Sequence, residues 1–417
     1  MEYFKFRRKH LYCEDVKVKD LADKYGTPLY VYSYRNILGR FNQLKKEFSR
    51  IRALICYSAK ANSNLSVLKA LIKEGAGLDI VSGGELYRAK RCGCPAKKIV
   101  YASVGKIEEE IKEAVNSGIL MFNVESVPEL ERINHLAQKL KRKARVAIRI
   151  NPDISPGTHK YITTGKKETK FGVEIDTAKR IFLNRNKYKS IVFSGIHIHI
   201  GSQITELAPF VKAIKKVNRL IGQLKEDNVR LEYLNIGGGL GIDYGIRPAK
   251  TAKEFAGAVM PLLKGTGLKI ILEPGRFITG NAGILVSKVI YLKENSAKKF
   301  VVVDAAMNDF IRPSLYGAAH RIIPVRLRAM SHDLKAKQAD VVGPVCESGD
   351  FLGKNVKISV GQGDYLAVLD TGAYGYSMAS NYNSRLKPAE VLVKNNKAYL
   401  VTERQSYQDL VRKEIII

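Results

Sequence analysis

The stretch GIHIHIGSQ at residues 195–203 alternates three isoleucines with two histidines. Successive side chains of a β-strand point to opposite faces, so the isoleucines share one face while His197 and His199 share the other. In a closed barrel, the isoleucines would pack beneath surrounding helices and the two histidines would face inward. An inward histidine on its own is more often a hydrogen-bonded core residue than a ligand, so the neighbouring stretches have to decide.

Strand-like apolar runs recur on both sides of this stretch, and segments with helical periodicity fill the gaps between them. The eight runs, this one included, are RALICYSAK (52–60), GLDIVS (77–82), KIVYAS (98–103), ILMFNVES (119–126), RVAIRINP (145–152), VFSGIHIHIGS (192–202), EYLNIGGG (232–239) and KIILEPGR (269–276). Two of the helical segments are PELERINHLAQKLKR (128–142) and APFVKAIKKVNRLIGQLKED (208–227). This alternation predicts an α/β fold, a (β/α)8 TIM-type barrel, with a doubly wound sheet as the alternative.

Beyond about residue 282 the runs stay strand-like but long helical patterns become few, which predicts a mostly β C-terminal domain. Residues 1–40 are expected to add a helix and a strand to that domain. The predicted division is therefore an N-terminal segment (1–40), a barrel (41–281) and a β-rich domain (282–417).

The composition is that of an ordinary globular protein, with 45% hydrophobic and 26% charged residues among 417. No apolar window is long enough for a transmembrane helix, and the first twenty residues lack the apolar core of a signal peptide. The five cysteines are odd in number and scattered in spacing. We therefore expect a reduced, cytoplasmic protein without metal-site cysteine spacing.

The net charge of +30 raises the question of nucleic-acid binding. The basic residues are spread along the whole chain, and no tail, zinc finger or repeated basic-aromatic block is present. We therefore expect no nucleic-acid partner, although the positive field would attract anionic ligands.

Functional groups collect at the predicted strand ends, where barrels of this type bind ligands. Lys60 ends the first apolar run; most lysines are solvated, but one at a barrel mouth can act as a nucleophile or hold a carbonyl cofactor. Ser202, in the loop after the histidines, and Gly239, in NIGGGLG, offer small loops suited to phosphate. Glu273 and Arg276 end the last run. Such a charged pair is usually a structural ion pair. Three consecutive strand ends with loops suited to phosphate are harder to explain by a structural role alone.

Pyridoxal phosphate needs such a set: a lysine for covalent attachment, donors for its phosphate, a flat group against its ring and an acid–base partner at its nitrogen. Lys60, His199 and Glu273 are candidates for the attachment, the ring contact and the nitrogen partner. Gly239 and Ser202 are candidates for the phosphate cradle.

At this point the sequence resembles the fold-type III pyridoxal phosphate decarboxylases, and within them the branch that acts on diaminopimelate. The resemblance covers roughly residues 20–405 and rests on motifs that occur in the family's order. They are YSAKAN (57–62), NPDISPGTHKYITTGKKETKFGV (151–173), HIHIGSQ (197–203), GGGLG (237–241), EPGR (273–276), RPSLYGAAH (312–320), GPVCESGDFL (343–352) and GAYGYSMASNYNSR (372–385).

The resemblance implies decarboxylation of meso-2,6-diaminopimelate to L-lysine and carbon dioxide by a homodimer with shared active sites. It implies that Lys60 carries the cofactor and that Cys346, from the other subunit, donates the proton. The other cofactor-binding residues that it implies are His199, Ser202, Gly239, Glu273, Pro274, Gly275, Arg276 and Tyr374. The substrate-binding residues that it implies are Arg276, Arg312, Tyr316, Glu347 and Tyr374. It implies no role for the loop at 101–106.

Four alternatives remain open. An ornithine or arginine decarboxylase of the same fold type would have no use for a clamp on a distal carboxylate, and an alanine racemase would place an arginine at the ring nitrogen. A catalytically silent, decarboxylase-like binding protein would be expected to have lost Lys60 or Cys346, and both are present. A nucleic-acid-binding protein is disfavoured by the scattered charge.

Overall fold

The structure, a computed structural model, describes residues 3–155, 164–165, 169–245, 247–327 and 337–417. These residues form two compact units. The β unit comprises Met1–Gly39, Asp243–Arg247 and Ile278–Ile417, and the barrel unit comprises Arg40–Ile242 and Pro248–Phe277. The domain boundaries predicted from sequence stay predictions, because a compact unit does not by itself define a domain that folds independently.

The chain begins with a small antiparallel sheet, then a helix, a strand and a longer helix. These elements are β1 (Phe4–Arg7), β2 (His10–Cys13), β3 (Val16–Lys17), α1 (Val18–Tyr25), β4 (Leu29–Ser33) and α2 (Tyr34–Glu47). The helix and strand predicted for residues 1–40 are α1 and β4. The sheet of β1, β2 and β3 was not predicted.

Eight parallel strands in the described part of the chain close into a barrel. They are β5 (Ala53–Ser58), β6 (Gly77–Ile80), β7 (Ile99–Ala102), β8 (Met121–Val124), β9 (Ala144–Ile150), β10 (Ile191–Ile198), β11 (Tyr233–Asn235) and β12 (Lys269–Leu272). Each corresponds to one of the predicted apolar runs. Pairing of β12 with β5 closes the ring, so the barrel prediction is confirmed and the doubly wound alternative is wrong.

A helix follows each barrel strand. These helices are α3 (Leu65–Lys73), α4 (Gly83–Arg91), α5 (Glu108–Ser117), α6 (Val127–Lys139), α7 (Ile175–Leu183), α8 (Ala208–Glu226), α9 (Ala252–Lys264) and α10 (Arg276–Thr279). Helix α6 shows why they form: Ser126 caps its first turn by accepting a hydrogen bond from the Glu129 amide, and Leu130 and Ile133 are buried one turn apart on one face.

The rest of the β unit is mostly strand, as predicted. Its elements are β13 (Gly283–Glu294), β14 (Lys299–Val303), α11 (Arg312–Tyr316), β15 (Ile322–Pro324), β16 (Lys337–Val342), β17 (Phe351–Ile358), β18 (Tyr365–Val368), β19 (Ala389–Lys394), β20 (Lys397–Thr402) and α12 (Tyr407–Val411). The described strands β17, β16, β14, β13, β4, β19 and β20 lie side by side in that order. An apolar core that includes Leu11, Val31, Ile284 and Val391 packs against this sheet. The strand β17 was not predicted.

In the described part of the chain, no helix is long and apolar enough to cross a membrane.

Candidate active site

The C-terminal ends of the barrel strands carry all the site residues predicted for the barrel. Lys60 lies in the short helical turn Ala59–Ala61 directly after β5, and His199 follows β10. Glu273, Pro274 and Gly275 follow β12, while Arg276 begins α10. Because parallel strands end on the same side of a barrel, these residues come together although they lie far apart in sequence.

Lys60 is not a solvated surface lysine. Its Nζ lies 3.1 Å from Oδ2 of Asp79, and the Lys60 side chain is 34% exposed while that of Asp79 is fully buried. The hydroxyl of Ser58 lies 2.6 Å from the same carboxylate oxygen. Burial, and then the negative charge of Glu273, raise the pKa of Asp79. The lysine therefore lies at the mouth of the barrel beside a buried carboxyl that can accept a proton from it.

Glu273 is held in the interior by donors from three other strands. Its Oε1 accepts hydrogen bonds from the side-chain amides of Asn123 at 2.9 Å and Asn235 at 2.6 Å. Its Oε2 lies 3.1 Å from Nε2 of His197, which points into the barrel as the alternation predicts. Burial by itself raises the pKa of Glu273, but His197 and the positive charge of Lys60 outweigh it and hold that pKa well below its usual range. Glu273 is therefore a buried carboxylate that stays ionised.

His199 is held in one neutral form. Its Nδ1 accepts a hydrogen bond from the backbone N–H of Gly238 at 3.1 Å, which leaves the proton on Nε2. Burial and then the charge of Arg149 hold the pKa of His199 well below its usual range. The result is an uncharged, flat imidazole with a fixed orientation.

The glycine loop after β11 approaches its neighbours too closely for any side chain. A Cβ on Gly238 would lie 2.0 Å from the carbonyl oxygen of Glu273, and Gly239 has a φ of +103° that L residues rarely adopt. Beside this loop, Nη2 of Arg276 donates a hydrogen bond to the Ser202 hydroxyl at 3.1 Å. The loop and this pair supply backbone amides, a hydroxyl and a guanidinium, the donors that an anion requires.

Sequence reasoning missed several polar residues of this barrel end. Asp79, Asn123 and Asn235 were not predicted, and neither was the buried Lys106 in the loop after β7. The Lys106 ammonium donates hydrogen bonds to the carbonyls of Ser103 and Asn123 and to the Glu129 carboxylate. For Asp79, Asn123 and Asn235, the signal available in the sequence was a polar residue on the inward-facing side of a short strand.

The remaining predicted residues lie in the β unit. Arg312 and Tyr316 are the first and last residues of α11, while Cys346 and Glu347 lie exposed in the loop between β16 and β17. The Ser314 hydroxyl donates to the carbonyl of Gly349 at 2.6 Å and ties α11 to that loop.

The Cys346 loop also has partners farther along the chain. The Cys346 amide donates to Oδ1 of Asn383 at 3.3 Å, and the Tyr382 hydroxyl donates to the Glu347 carboxylate. Tyr374 is half-buried and has a φ of +58°. In the motif at 151–173, residues 156–163 and 166–168 lie outside the described residues.

Comparison with known families decides the class of the molecule. The profile of the pyridoxal-dependent decarboxylases, for their pyridoxal-binding domain, matches residues 34–280. The chain belongs to the pyridoxal-dependent decarboxylases. Among curated members of this decarboxylase family, it is 49% identical to the diaminopimelate decarboxylase of Aquifex aeolicus, over 100% of this chain and 98% of that protein.

Two solved decarboxylase structures have the same fold over nearly their whole length. The diaminopimelate decarboxylase of M. jannaschii, in co-complex with L-lysine, has a TM-score of 0.95 at 37% identity, covering 100% of this chain and 98% of that one. The Helicobacter pylori enzyme, complexed with L-lysine, has a TM-score of 0.91 at 41% identity, covering 95% of this chain and 99% of that one.

The barrel end fits the decarboxylase cofactor. Pyridoxal phosphate combines an anionic group with a ring nitrogen that must meet an acid–base partner. The Arg276 guanidinium and the Ser202 hydroxyl lie together beside the glycine loop, and Glu273 is an ionised carboxylate deeper in the barrel. In addition, Oδ1 of Asp79 is buried and accepts no hydrogen bond from the described residues. The site thus offers polar atoms for both ends of the cofactor.

Proposed function

We propose that this chain is a pyridoxal phosphate-dependent carboxy-lyase that converts meso-2,6-diaminopimelate to L-lysine and carbon dioxide. The observation that carries this conclusion is the 49% identity to a diaminopimelate decarboxylase over the full length of both chains. The alternative of an ornithine or arginine decarboxylase is not favoured.

In the barrel, Lys60 would hold the cofactor covalently and His199 would pack against its ring. The phosphate would be held by Gly239 and Ser202 together with the segment 273–276. When bound, pyridoxal phosphate supplies the conjugated ring that accepts the electron pair left behind by the departing carboxylate.

The contribution of Glu273 is electrostatic. A carboxylate with hydrogen-bond donors on both oxygens cannot take up a proton easily, so it favours a protonated group opposite it. It would thus hold a proton on the ring nitrogen. His199, being neutral, would add no positive charge that competes with a proton on the ring.

In the β unit, Arg312 would bind the distal carboxylate of the substrate together with Arg276, since a guanidinium fork matches a carboxylate. Glu347 would bind the distal ammonium, and Tyr316 and Tyr374 would contact the substrate. Cys346 would donate the proton that replaces the lost carboxylate.

We propose further that each active site is shared between the two subunits of a homodimer in the cytoplasm. Cys346 and Glu347 lie exposed on a loop of the β unit in the single chain. That exposure suits residues that complete the site of a second copy.

The test of the function is a comparison of kcat/KM for meso-diaminopimelate, L-lysine, ornithine and arginine. Substrates without a distal carboxylate cannot form the charge-assisted hydrogen bonds proposed for Arg312 and Arg276, so we expect a preference for diaminopimelate of about three decades or more. Arg312→Ala should remove most of that preference and leave cofactor binding intact. A wild-type preference for ornithine or arginine would contradict the proposed function while leaving the fold and cofactor in place.

The test of the shared site is complementation. Lys60→Ala and Cys346→Ala should each be inactive, and mixing them under conditions of subunit exchange should make roughly a quarter of all sites intact. If the site is instead built within one chain, the mixture should stay inactive even when mass spectrometry shows that the subunits have exchanged. That outcome would contradict the shared site.

A further inference from the structure

Arg312 is held by two side chains that the sequence analysis did not single out. Its Nη1 lies 2.9 Å from the hydroxyl of Tyr244 and 3.1 Å from Nε2 of His320. All three residues are at most 9% exposed. The guanidinium carbon also lies 5.2 Å from the centroid of the Tyr244 ring. The guanidinium is thus fixed in position and orientation before any ligand arrives.

The contact between Arg312 and His320 sets the protonation state of the imidazole. A guanidinium has only donors, so Nε2 of His320 must accept. The ring proton is then on Nδ1, which lies 2.8 Å from the carbonyl oxygen of Leu369 and donates to it. The contact therefore requires a neutral His320 in one tautomer.

Aromatic rings fix the plane of that imidazole. Phe310 and Tyr244 meet it edge to face, with centroid separations of 4.7 and 4.8 Å. Such contacts favour one ring orientation and resist its rotation. The imidazole cannot readily turn its Nδ1 toward the guanidinium.

Protonating His320 would break this arrangement. The imidazolium would carry a hydrogen on Nε2, directed at a cation 3.1 Å away. Arg321, the next residue, adds a second positive charge, and Asp370, which follows Leu369, is the neighbouring acid. Burial raises the pKa of Asp370, so its negative charge weakens as the pH falls and compensates an imidazolium less.

Two other acids lie close in sequence to the aromatic contacts. Asp309 precedes Phe310, and burial raises its pKa to about 7, so it too loses charge toward acid pH. Asp243 precedes Tyr244, and its carboxylate accepts from the backbone amide of Gly245. The local charge balance therefore opposes protonation of His320.

We propose that Tyr244 and His320 are positioning residues that aim Arg312 at the distal carboxylate of the substrate, and that the substrate is released when His320 takes up a proton. This inference rests on the proposed role of Arg312 in substrate binding. It predicts that KM rises as the pH is lowered from neutral into the acid range, while kcat changes little.

The experiment measures kcat and KM for meso-diaminopimelate across pH in the holoenzyme and four variants. His320→Phe keeps a flat ring but loses the acceptor, and Tyr244→Phe loses the hydroxyl. Each should raise KM about ten- to a hundredfold at neutral pH, the loss expected for a hydrogen bond to a charged group, with kcat within about twofold. His320→Gln keeps a neutral acceptor and should flatten the acid rise in KM. His135→Gln, at an exposed histidine on α6, should behave as wild type.

The outcomes distinguish a failure of the proposed function from a failure of the positioning role of Tyr244 and His320. Cofactor absorbance and circular dichroism establish that each variant is folded and loaded, and His320→Gln supplies the test if His320→Phe does not fold. A wild type inactive on meso-diaminopimelate overturns the proposed function and this inference with it. An active wild type whose variants keep its KM and its pH profile, or lose kcat alone, overturns this inference and leaves the proposed function standing.

Discussion

Replacing Lys106 with methionine should destabilise the barrel unit by about 3–5 kcal/mol, because it leaves a buried carboxylate without its cation. The Lys106 side chain is fully buried and that of Glu129 is 8% exposed, with 2.6 Å between Nζ and Oε1. Nζ also donates to the carbonyls of Ser103 and Asn123, at 2.8 and 3.1 Å. The variant therefore removes the hydrogen-bond donor of three buried acceptors at once.

The pH dependence of this loss has a definite sign. Burial raises the pKa of Glu129, and the charge of Lys106 opposes that rise. Without Lys106, the pKa of Glu129 in the folded state should rise further above that in the unfolded state. An acid whose folded pKa is raised costs stability once the pH exceeds its unfolded pKa of about 4.3. The variant should therefore lose more stability at alkaline than at mildly acidic pH.

The assay is urea unfolding of the holoenzyme, followed by circular dichroism across a range of pH. Lys106→Met/Glu129→Gln should recover part of the loss, because the remaining group is neutral. Lys112→Met is the matched control: its partner Glu108 is 2.7 Å away, but both side chains are about 40% exposed, so the unfolding midpoint should hardly move. A Lys106→Met midpoint equal to that of this control would refute the reasoning.

Two further outcomes follow from contacts in the barrel unit. Gly238→Ala should abolish cofactor binding, because its Cβ would lie 2.0 Å from the carbonyl oxygen of Glu273, whereas Gly222→Ala in α8 meets no atom within 4 Å and should leave absorbance and stability intact. Glu232, paired with Lys269, has a pKa lowered to about 2, so its contribution is present above about pH 4.3 and lost toward pH 2. The gap between the urea midpoints of wild type and Glu232→Gln should therefore close over that range. A Gly238→Ala variant that binds as much cofactor as wild type would contradict the first expectation. A midpoint gap that stays constant as the pH falls would contradict the second.

The barrel was predictable because its signals are local. Each strand is a short apolar run, and the alternation at His197 and His199 specifies which side chains face inward. The strand β17 escaped prediction because it lies at the edge of its sheet and is only partly buried, so its sequence FLGKNVKI mixes polar residues and a glycine with apolar ones.

The arrangement around Glu273 was not predictable, because barrel closure alone creates it. Asn123 and Asn235 are each an ordinary polar residue in sequence, 150 and 38 positions away from the carboxylate they contact. Lys106 resembles a surface lysine in sequence, and its burial depends on Glu129, which lies on helix α6. Partners such as these are set by tertiary contacts that no local pattern encodes.

The most direct test of the active site is to reduce the holoenzyme with borohydride, digest it and locate the cofactor by mass spectrometry. Two lysines lie after barrel strands β5 and β7: Lys60, 34% exposed beside Asp79, and Lys106, with a fully buried side chain beside Glu129. The Lys60 side chain is partly open to a ligand whereas that of Lys106 is enclosed, so the cofactor should be found on the peptide that contains Lys60 and should be absent from Lys60→Ala. Cofactor on any other lysine of the wild type, or covalently trapped by Lys60→Ala, would contradict the assignment of the site.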